Sequence, residues 1–405
     1  RAARADARVR DTFYAKLGEM RERLEAAKPD ALIVVAAEHY PATPRTGGGA
    51  PAQGWIDHSV AALQALGVVL LQRTTVFGVY DDGLALALER RSDHLGSAAP
   101  ADALRQRVWR IRARRTIVAA GSHERPVVFA DNDRPGILLA GAARTFLHRH
   151  GVRVGNRVVV FTTNDSAYSA AFDLYDVGIE VAAIIDSRAV IGDFAREGAQ
   201  DRGIHLHHSS VVTGTSGADR VEQVMFARFN GTVFGIEQTV DADTLLVSGG
   251  WNPAVHLFSQ AGGTLRYDDR LGAFVPDAAV PGIAVVGAAA GCFGLAEGIA
   301  GARTVSPDIL AGLGFVTVPD QTPAIDADVD AWPGAVLWYV PTGDPSTLTT
   351  HFVDMQRDAT VADIAHAIGA GLRSIEHIKR YTTIGTAHDQ GKTSGVVTSG
   401  IAAQV

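Results

Sequence analysis

The sequence predicts an α/β protein with two lobes of the nucleotide-binding type, and its apolar runs carry this prediction. Thr116–Gly121 (TIVAAG) is a short β-branched run that ends on a glycine, as buried parallel strands often do. Arg157–Thr162 (RVVVFT) opens a second unit, in which a helical stretch and then a strand ending at Asp186 follow. Similar strands closed by glycine recur in Leu245–Pro253 and Gly282–Ala302. Strands that alternate with helices favour parallel sheets.

Composition and charge exclude several classes of protein. The 405 residues are 47% hydrophobic and 20% charged with a net charge of −7, which is ordinary for a globular chain of two or three domains. Basic residues alternate with apolar ones in Arg105–Arg115, so we interpret this stretch as the exposed face of a strand rather than an anion site. We therefore expect no nucleic-acid partner. No run reaches the roughly 20 apolar residues of a membrane span, so we expect no membrane partner.

Cysteine usage limits the cofactor chemistry. Cys292 is the single cysteine, which excludes an internal disulfide and any zinc or iron–sulfur centre held by cysteines of this chain. On this basis we expect a cytoplasmic protein. The chain starts without a methionine and ends without a tail, so we also expect it to be part of a longer protein.

The first lobe has only part of a dinucleotide-binding pattern. Helical spacing over Asp11–Lys28 precedes a strand that ends at Glu38, where such a carboxylate accepts hydrogen bonds from a ribose, although strand-end glutamates are also common without that role. The strand and G-x-G-x-x-G that would come before are missing; either they lay upstream or the chain does without them. The loop Thr43–Gly54 contains three glycines around Gly48, which suit either a ligand or a flexible turn.

The next segments predict a meander and then a second, complete unit. Strands flank a turn at Asp81–Gly83. In the second unit Thr162–Ala167 reads TTNDSA where a glycine motif would stand, so side chains would occupy the space of a pyrophosphate. Asp186 stands where a ribose-binding acid would lie. We predict an intact fold with a closed or repurposed pocket.

Later segments carry weaker signals. His205, His207 and His208 lack a carboxylate or cysteine at ligand spacing, so we interpret them as surface or packing residues. Small residues at Gly287–Gly291 would let a helix N-terminus approach a phosphate, or would serve close helix–sheet packing. No constellation supports hydrolysis, and we predict no catalytic residue and no metal ligand.

The end of the chain predicts a separate small unit. Gly314–Asp330 is rich in proline and aspartate and has the composition of a linker. A strand, VLWYVP, and two helices around Gly369–Gly371 follow, and a loop, TAHDQGKTSG, ends the unit.

Three long strings carry a specific resemblance: HERPVVFADNDRPGILLAGAARTFLHRHGV, VSGGWNPAVHLFSQAGG and IEHIKRYTTIGTAHDQGKTSG. They resemble the α-subunit of heterotetrameric sarcosine oxidases, from about Trp55 onward. The arrangement is similar to FAD/NAD(P)-binding, disulfide-oxidoreductase-like flavoproteins, in which a second Rossmann-like lobe is inserted in the first. The resemblance implies a first lobe of residues 1–135 and 245–316, a second lobe of residues 136–244, and an α+β module of residues 317–405.

The resemblance also implies cofactors and partners. In this family sarcosine is oxidised at a flavin in the β-subunit, which carries FAD, while FMN lies between α and β, NAD is bound in α, and γ and δ subunits complete the complex. A ferredoxin-like domain would precede this stretch and a folate-binding region would follow it. The C-terminal module resembles small iron–sulfur (BFD-like) modules but lacks their cysteines, so we expect no cluster there. Instead His388, Asp389, Lys392 and Thr393 would shape a flavin or partner surface.

The site residues follow by position. Glu38 and His39 would bind the adenosine side of NAD, Val76 would lie near the adenine, and Ala290–Leu295 would close over the pyrophosphate and nicotinamide half. The cofactor-binding residues expected in this way are Glu38, His39, Gly48, Val76, Gly121, Gly287, Ala290 and Leu295.

Three readings of the function compete. The first is a cofactor-holding segment of an amine oxidase complex. The second, an independent FAD-dependent NAD(P)H oxidoreductase, needs intact glycine motifs and a redox cysteine pair or an acid/base histidine, and the sequence has none of these. The third is a scaffold that binds no nucleotide, against which the acidic Glu38 argues.

Overall fold

The computed structural model describes residues 32–36, 57, 60–65, 67–314 and 334–405. The predicted helix Asp11–Lys28 and three expected site residues, Glu38, His39 and Gly48, lie outside this part of the chain. The strands are β1 Leu32–Ala36, β2 Thr74–Tyr80, β3 Leu84–Arg90, β4 Gln106–Arg112, β5 Arg115–Ala119, β6 Ser122–Glu124, β7 Ile137–Leu139, β8 Arg157–Thr162, β9 Glu180–Asp186, β10 Leu206–His207, β11 Ser210–Ser216, β12 Gln223–Arg228, β13 Gln238–Asp241, β14 Thr244–Ser248, β15 Trp251–Pro253, β16 Leu265–Asp268, β17 Ala273–Pro276, β18 Ile283–Val285, β19 Phe352–Asp354 and β20 Ala359–Thr360.

Most helices alternate with these strands. Short 3₁₀ turns occupy Asp81–Gly83, Asp93–Ala98, Gly287–Ala290 and Pro345–Thr350. The α-helices are α1 Ala140–His150, α2 Ser166–Asp176, α3 Asp193–Asp201, α4 His256–Gln260, α5 Leu295–Gly312, α6 Val361–Gly369, α7 Ile375–Thr382 and α8 Gly395–Gln404.

The chain divides into two compact units. The first comprises Arg1–Gly121, Pro253–Arg266 and Phe274–Asp328, and the second comprises the intervening segments and the C-terminus. In the first unit, β1, β5 and β18 form a parallel sheet with β5 in the centre. The predicted meander is confirmed as the antiparallel sheet β2–β3–β4, with Asp81–Gly83 at its turn, whereas the apolar run Val68–Leu71 is not a strand.

A five-stranded parallel sheet organises the second unit, in the order β10–β9–β8–β14–β7. Helices α1, α2 and α3 cover one face, against which Val158 and Val160 pack. The sheet β11–β12–β13 covers the other face, where Val159 and Phe161 pack. Both faces are buried, which explains why RVVVFT is a continuous apolar run rather than an alternating one.

The position of β14 between β8 and β7 differs from the predicted limits of the lobes. Residues Leu245 and Leu246 pair with β7 and β8, so a boundary at Leu245 would cut through the sheet of the second unit. An apolar strand followed by two glycines looks the same in either lobe, and only the pairing partners distinguish them. The lobe limits otherwise stay a prediction.

The C-terminal segment folds around its own small core within the second unit. Ile364, Val397 and Trp338 are buried there together. The predicted helices are confirmed as α6 and α7, and the final helix α8 is an addition to the prediction. The predicted strand VLWYVP is wrong: in the described residues it makes only an isolated bridge, between Tyr339 and Val128. A β-branched apolar run buries as well in an extended connection as in a sheet.

Candidate cofactor sites at the carboxyl edges of the parallel sheets

The carboxyl ends of β1, β5 and β18 meet at one edge of the first sheet. Ala36 pairs with Ala119, and Val285 pairs with Val118, so the chain leaves all three strands side by side. Ligands of open parallel sheets bind outside such edges. Gly121 follows β5 with a φ of +74°, a left-handed conformation that favours glycine.

The segment after β18 turns on two left-handed glycines. Gly287 has a φ of +64° and Gly291 a φ of +89°, on either side of a turn that contains the half-buried Ala290. A Cβ added at Gly287 would meet no heavy atom of the described residues within 4 Å, so nothing in that part of the chain fills the space on this side. Backbone amides beside such space allow the close approach of a phosphate-bearing ligand, so the residues at this edge fit a dinucleotide.

Helix α5 begins directly after this turn, at Leu295. Its N-cap is Gly294, which has no side chain to cap the helix. The helix also packs closely on the turn, because a Cβ on Gly298 would lie 3.6 Å from the Cα of Gly287. The small residues therefore do serve close packing, and the N-terminus of the helix carries a partial positive charge at this edge.

Val76 lies away from the parallel sheet in the sequence but in the same unit. It is half-buried in β2 and packs against the small core formed by Val79, Ala85 and Ala113. Its predicted role beside an adenine stays a prediction.

The carboxyl edge of the second sheet is closed by side chains. Thr162, Thr163 and Asn164 are fully buried where a glycine motif would stand. The amide of Asn164 donates to the carbonyl and hydroxyl oxygens of Ser248 (3.2 and 3.0 Å), and its carbonyl oxygen accepts from the hydroxyl of Ser166 (2.6 Å). These side chains therefore fill the edge of the sheet, and the exclusion of a pyrophosphate from it stays a prediction.

Asp186 belongs to the same group of buried side chains at the edge of the second sheet. Its carboxylate accepts from the Tyr168 hydroxyl (2.8 Å) and pairs with Arg188 (2.7 Å), whose guanidinium also reaches Asp165 (2.6 Å). Burial and the neighbouring carboxylate of Asp186 raise the pKa of Tyr168 well above its ordinary value. Asp186 is 0% exposed, so it does not offer a carboxylate to a ribose in this conformation.

Sequence reasoning missed Glu124, a buried carboxyl group at the N-terminus of α1. Its Oε2 accepts from the backbone N–H of Gly141 (2.7 Å) and thereby caps the helix from a distant strand. Its Oε1 is buried without a hydrogen-bond partner in the described part of the chain. Burial raises the pKa of Glu124 to about 7. The hydroxyl of Ser248, the amide of Gly141 and the charge of Arg144 each lower this pKa, but by less than burial raises it.

Arg125, the next residue, was also missed. It is 1% exposed and donates to the carbonyl oxygens of Gly249 (2.8 Å), Leu271 (3.0 Å) and Gly272 (2.9 Å), while its guanidinium lies 4.9 Å from the ring centre of Trp338. Burial lowers its pKa to about 10. These acceptors are neutral, and through them Arg125 connects three segments of the chain by hydrogen bonds. Two adjacent charged residues, Glu124 and Arg125, within a stretch predicted as a long connection were the sequence signal that could have indicated these buried groups.

The histidine-rich strand does not form a metal centre in the described residues, where no group of three potential ligands comes together. The ring of His207 lies 4.6 Å from that of Phe226, and burial lowers its pKa. The interpretation of His207 as a packing residue is confirmed.

Comparisons with known proteins show which proteins the chain is similar to. A model described as the sarcosine oxidase A3 domain matches residues 349–405. The sarcosine oxidase subunit alpha of Corynebacterium sp. (strain P-1) is 45% identical over 364 residues, which are 88% of this chain and 37% of that protein. The chain is a relative of the sarcosine oxidase α-subunits. The subunit alpha of Rhizobium meliloti (strain 1021) is 36% identical over 83% of this chain and 33% of that protein. The chain thus spans about a third of the length of these sarcosine oxidase subunits.

A solved structure supports the fold class. The L-proline dehydrogenase of P. horikoshii superposes with a TM-score of 0.57 at 18% identity, over 91% of this chain and 68% of that chain. The predicted α/β class with Rossmann-like lobes is confirmed. Within the described residues, no helix is both long and apolar enough to cross a membrane.

Proposed function

We propose that the chain is the cofactor-holding segment of an α-subunit in a sarcosine oxidase-type complex. The complex would oxidise a secondary amine at a flavin in a partner β-subunit that carries FAD, with small γ and δ subunits also present. The observation that carries the proposal is the glycine-lined edge of the β1–β5–β18 sheet, in a chain 45% identical to a sarcosine oxidase subunit alpha. The cytoplasmic location stays a prediction.

NAD would lie along this edge. Backbone groups at Gly121, Gly287 and Ala290 would receive the pyrophosphate, since left-handed glycines and open space leave room for it. The start of α5 at Leu295 would add the positive end of a helix dipole. When bound, NAD supplies a hydride-accepting ring, and this chain's residues would bind and orient it. The residues proposed for the adenosine side are Glu38, His39, Gly48 and Val76.

An FMN shared with the β-subunit would face the C-terminal unit. Asp389 accepts from the amide and hydroxyl of Thr393 (3.0 and 2.6 Å) and orders the loop that carries His388 and Lys392. Burial and the charge of Lys392 lower the pKa of His123, and the charge of Asp389 on the same loop raises it by less. A cation and hydroxyl groups on one ordered loop suit an anionic flavin or an acidic partner surface.

The cofactors released from the purified protein test the proposal. We expect NAD from this chain on denaturing release with mass detection, and flavin only when the β-subunit is copurified. FAD from the chain alone would favour an independent flavoprotein, and no nucleotide from either preparation would favour a scaffold. We also expect no sarcosine oxidation by the chain without partners; measurable turnover would contradict this.

A matched pair of variants tests the location of NAD. Gly287→Asn and Gly287→Asp both tolerate the left-handed conformation, but only the second places a negative charge beside the pyrophosphate. We expect Gly287→Asp to weaken NAD binding at least about tenfold more than Gly287→Asn, because a like charge at close range opposes binding. Equal binding by the two variants would place the pyrophosphate elsewhere.

A further inference from the structure

A cavity of about 710 Å³ lies in the second unit, beside the closed edge of its five-stranded sheet. Ser187 and Ala189, which follow β9, form one side of it. The hairpin after β12 and residues 335–337 form the others. Cavities of this size hold small organic molecules in many proteins.

The charge on the cavity wall is a single cation. Arg228 is the one charged residue among those that line it, and there is no acidic residue in that lining. Arg228 makes no ion pair with any residue in the part of the chain described. By contrast, the guanidinium of Arg188 turns away into the carboxylates of Asp165 and Asp186. The cavity is therefore suited to an anion.

A flat apolar wall lies next to this cation. The rings of Phe229 and Phe234 are stacked, with centres 4.7 Å apart and planes at 26°, and both line the cavity. Val233 between them is 62% exposed. Aromatic faces of this kind favour a planar or apolar ligand body.

We propose that this cavity binds a small aromatic organic anion, such as a carboxylate or sulfonate. Arg228 would bind the anionic group, and the stacked phenylalanine rings would contact the flat body. A dinucleotide does not fit this assignment, because the buried side chains from Thr162 to Asp165 occupy the space its pyrophosphate needs. The proposal goes beyond the NAD function and does not rest on it.

Two fluorescent probes that differ by one charge test it. 8-Anilinonaphthalene-1-sulfonate is an aromatic anion, and N-phenyl-1-naphthylamine has the same rings without the sulfonate. We expect Arg228→Gln to weaken binding of the sulfonate about tenfold and to leave the neutral probe unchanged. Arg220→Gln, at another exposed arginine, is the matched control and should change neither.

A cavity-filling variant provides the second measurement. Ala189→Trp should abolish saturable binding of both probes, while the NAD content of the protein stays the same. Equal sulfonate affinity in Arg228→Gln and the parent protein, or probe binding that survives Ala189→Trp, would overturn the proposal. Since NAD content is read separately, failure here and failure of the NAD proposal are distinguishable.

Discussion

Replacing Glu124 by Gln should change how stability depends on pH. The folded protein raises the pKa of this carboxyl group from 4.5 to about 7 because burial penalises the charged form. A raised pKa means that the folded state binds the proton more tightly than the unfolded state. The stability associated with the proton is therefore present below about pH 4.5 and is lost as the pH rises through about 7.

The magnitude follows from the size of this change. At about 1.4 kcal/mol per pKa unit, the charged carboxylate costs the folded state about 3 kcal/mol near pH 8. Glutamine stays neutral, and its carbonyl oxygen still accepts from the N–H of Gly141. We expect the unfolding free energy of Glu124→Gln, relative to the parent, to rise by about 3 kcal/mol between pH 4 and pH 8.

Urea denaturation followed by tryptophan fluorescence at several pH values measures this difference. Comparing the variant with the parent at each pH cancels the contributions of the half-buried His207 and the buried His351. Burial lowers the pKa of both histidines, so their effect on stability has the opposite pH dependence. Glu222→Gln, at an exposed glutamate, controls for the chemistry of the substitution. Parallel stability curves for Glu124→Gln and the parent would refute the reasoning, since they would mean that Glu124 is solvated or already paired.

Two further variants test the buried polar groups of the second unit. Arg125→Lys should lower the unfolding free energy measured in urea by about 2–4 kcal/mol, because an ammonium group cannot reach the three carbonyl oxygens that the planar guanidinium joins. Arg220→Lys, the control, should change it by less than about 0.5 kcal/mol. Equal losses in the two variants would contradict the role given to Arg125. Asp186→Asn should lower the unfolding free energy by about 3 kcal/mol, because Arg188 then keeps only one buried carboxylate. The thermal midpoint of the control Asp219→Asn, at an exposed aspartate, should stay unchanged. An equal drop in both variants would count against a stabilising role of the buried cluster.

Elements whose pattern is local could be predicted well. The runs TIVAAG and RVVVFT formed the strands β5 and β8, and the stretch after RVVVFT formed helix α2. Their signal is the apolar periodicity itself, which any fold must bury. The TTNDSA segment also indicated a closed second edge, since the side chains in it need space wherever they lie.

Predictions that depended on pairing partners were less successful. Leu245 was placed in the first lobe, although β14 pairs with β7 and β8 of the second. The extended segment around Trp338 was predicted as a strand, and it packs on Arg125 instead. Neither outcome is encoded in a local pattern, because a neighbouring strand or a buried guanidinium is distant in sequence.

The sequence alone determined the α/β class, the relationship to sarcosine oxidase α-subunits and the glycine positions at the first edge. Those features rest on residue type and spacing, which need no coordinates. Only the tertiary structure showed that Glu124 caps a helix across the fold, that Arg125 ties three segments together, and that Arg228 faces a cavity beside two stacked rings. The burial of a side chain, its pKa and its ion-pair partners depend on residues that are distant in the sequence, and such residues become neighbours only when the chain is folded.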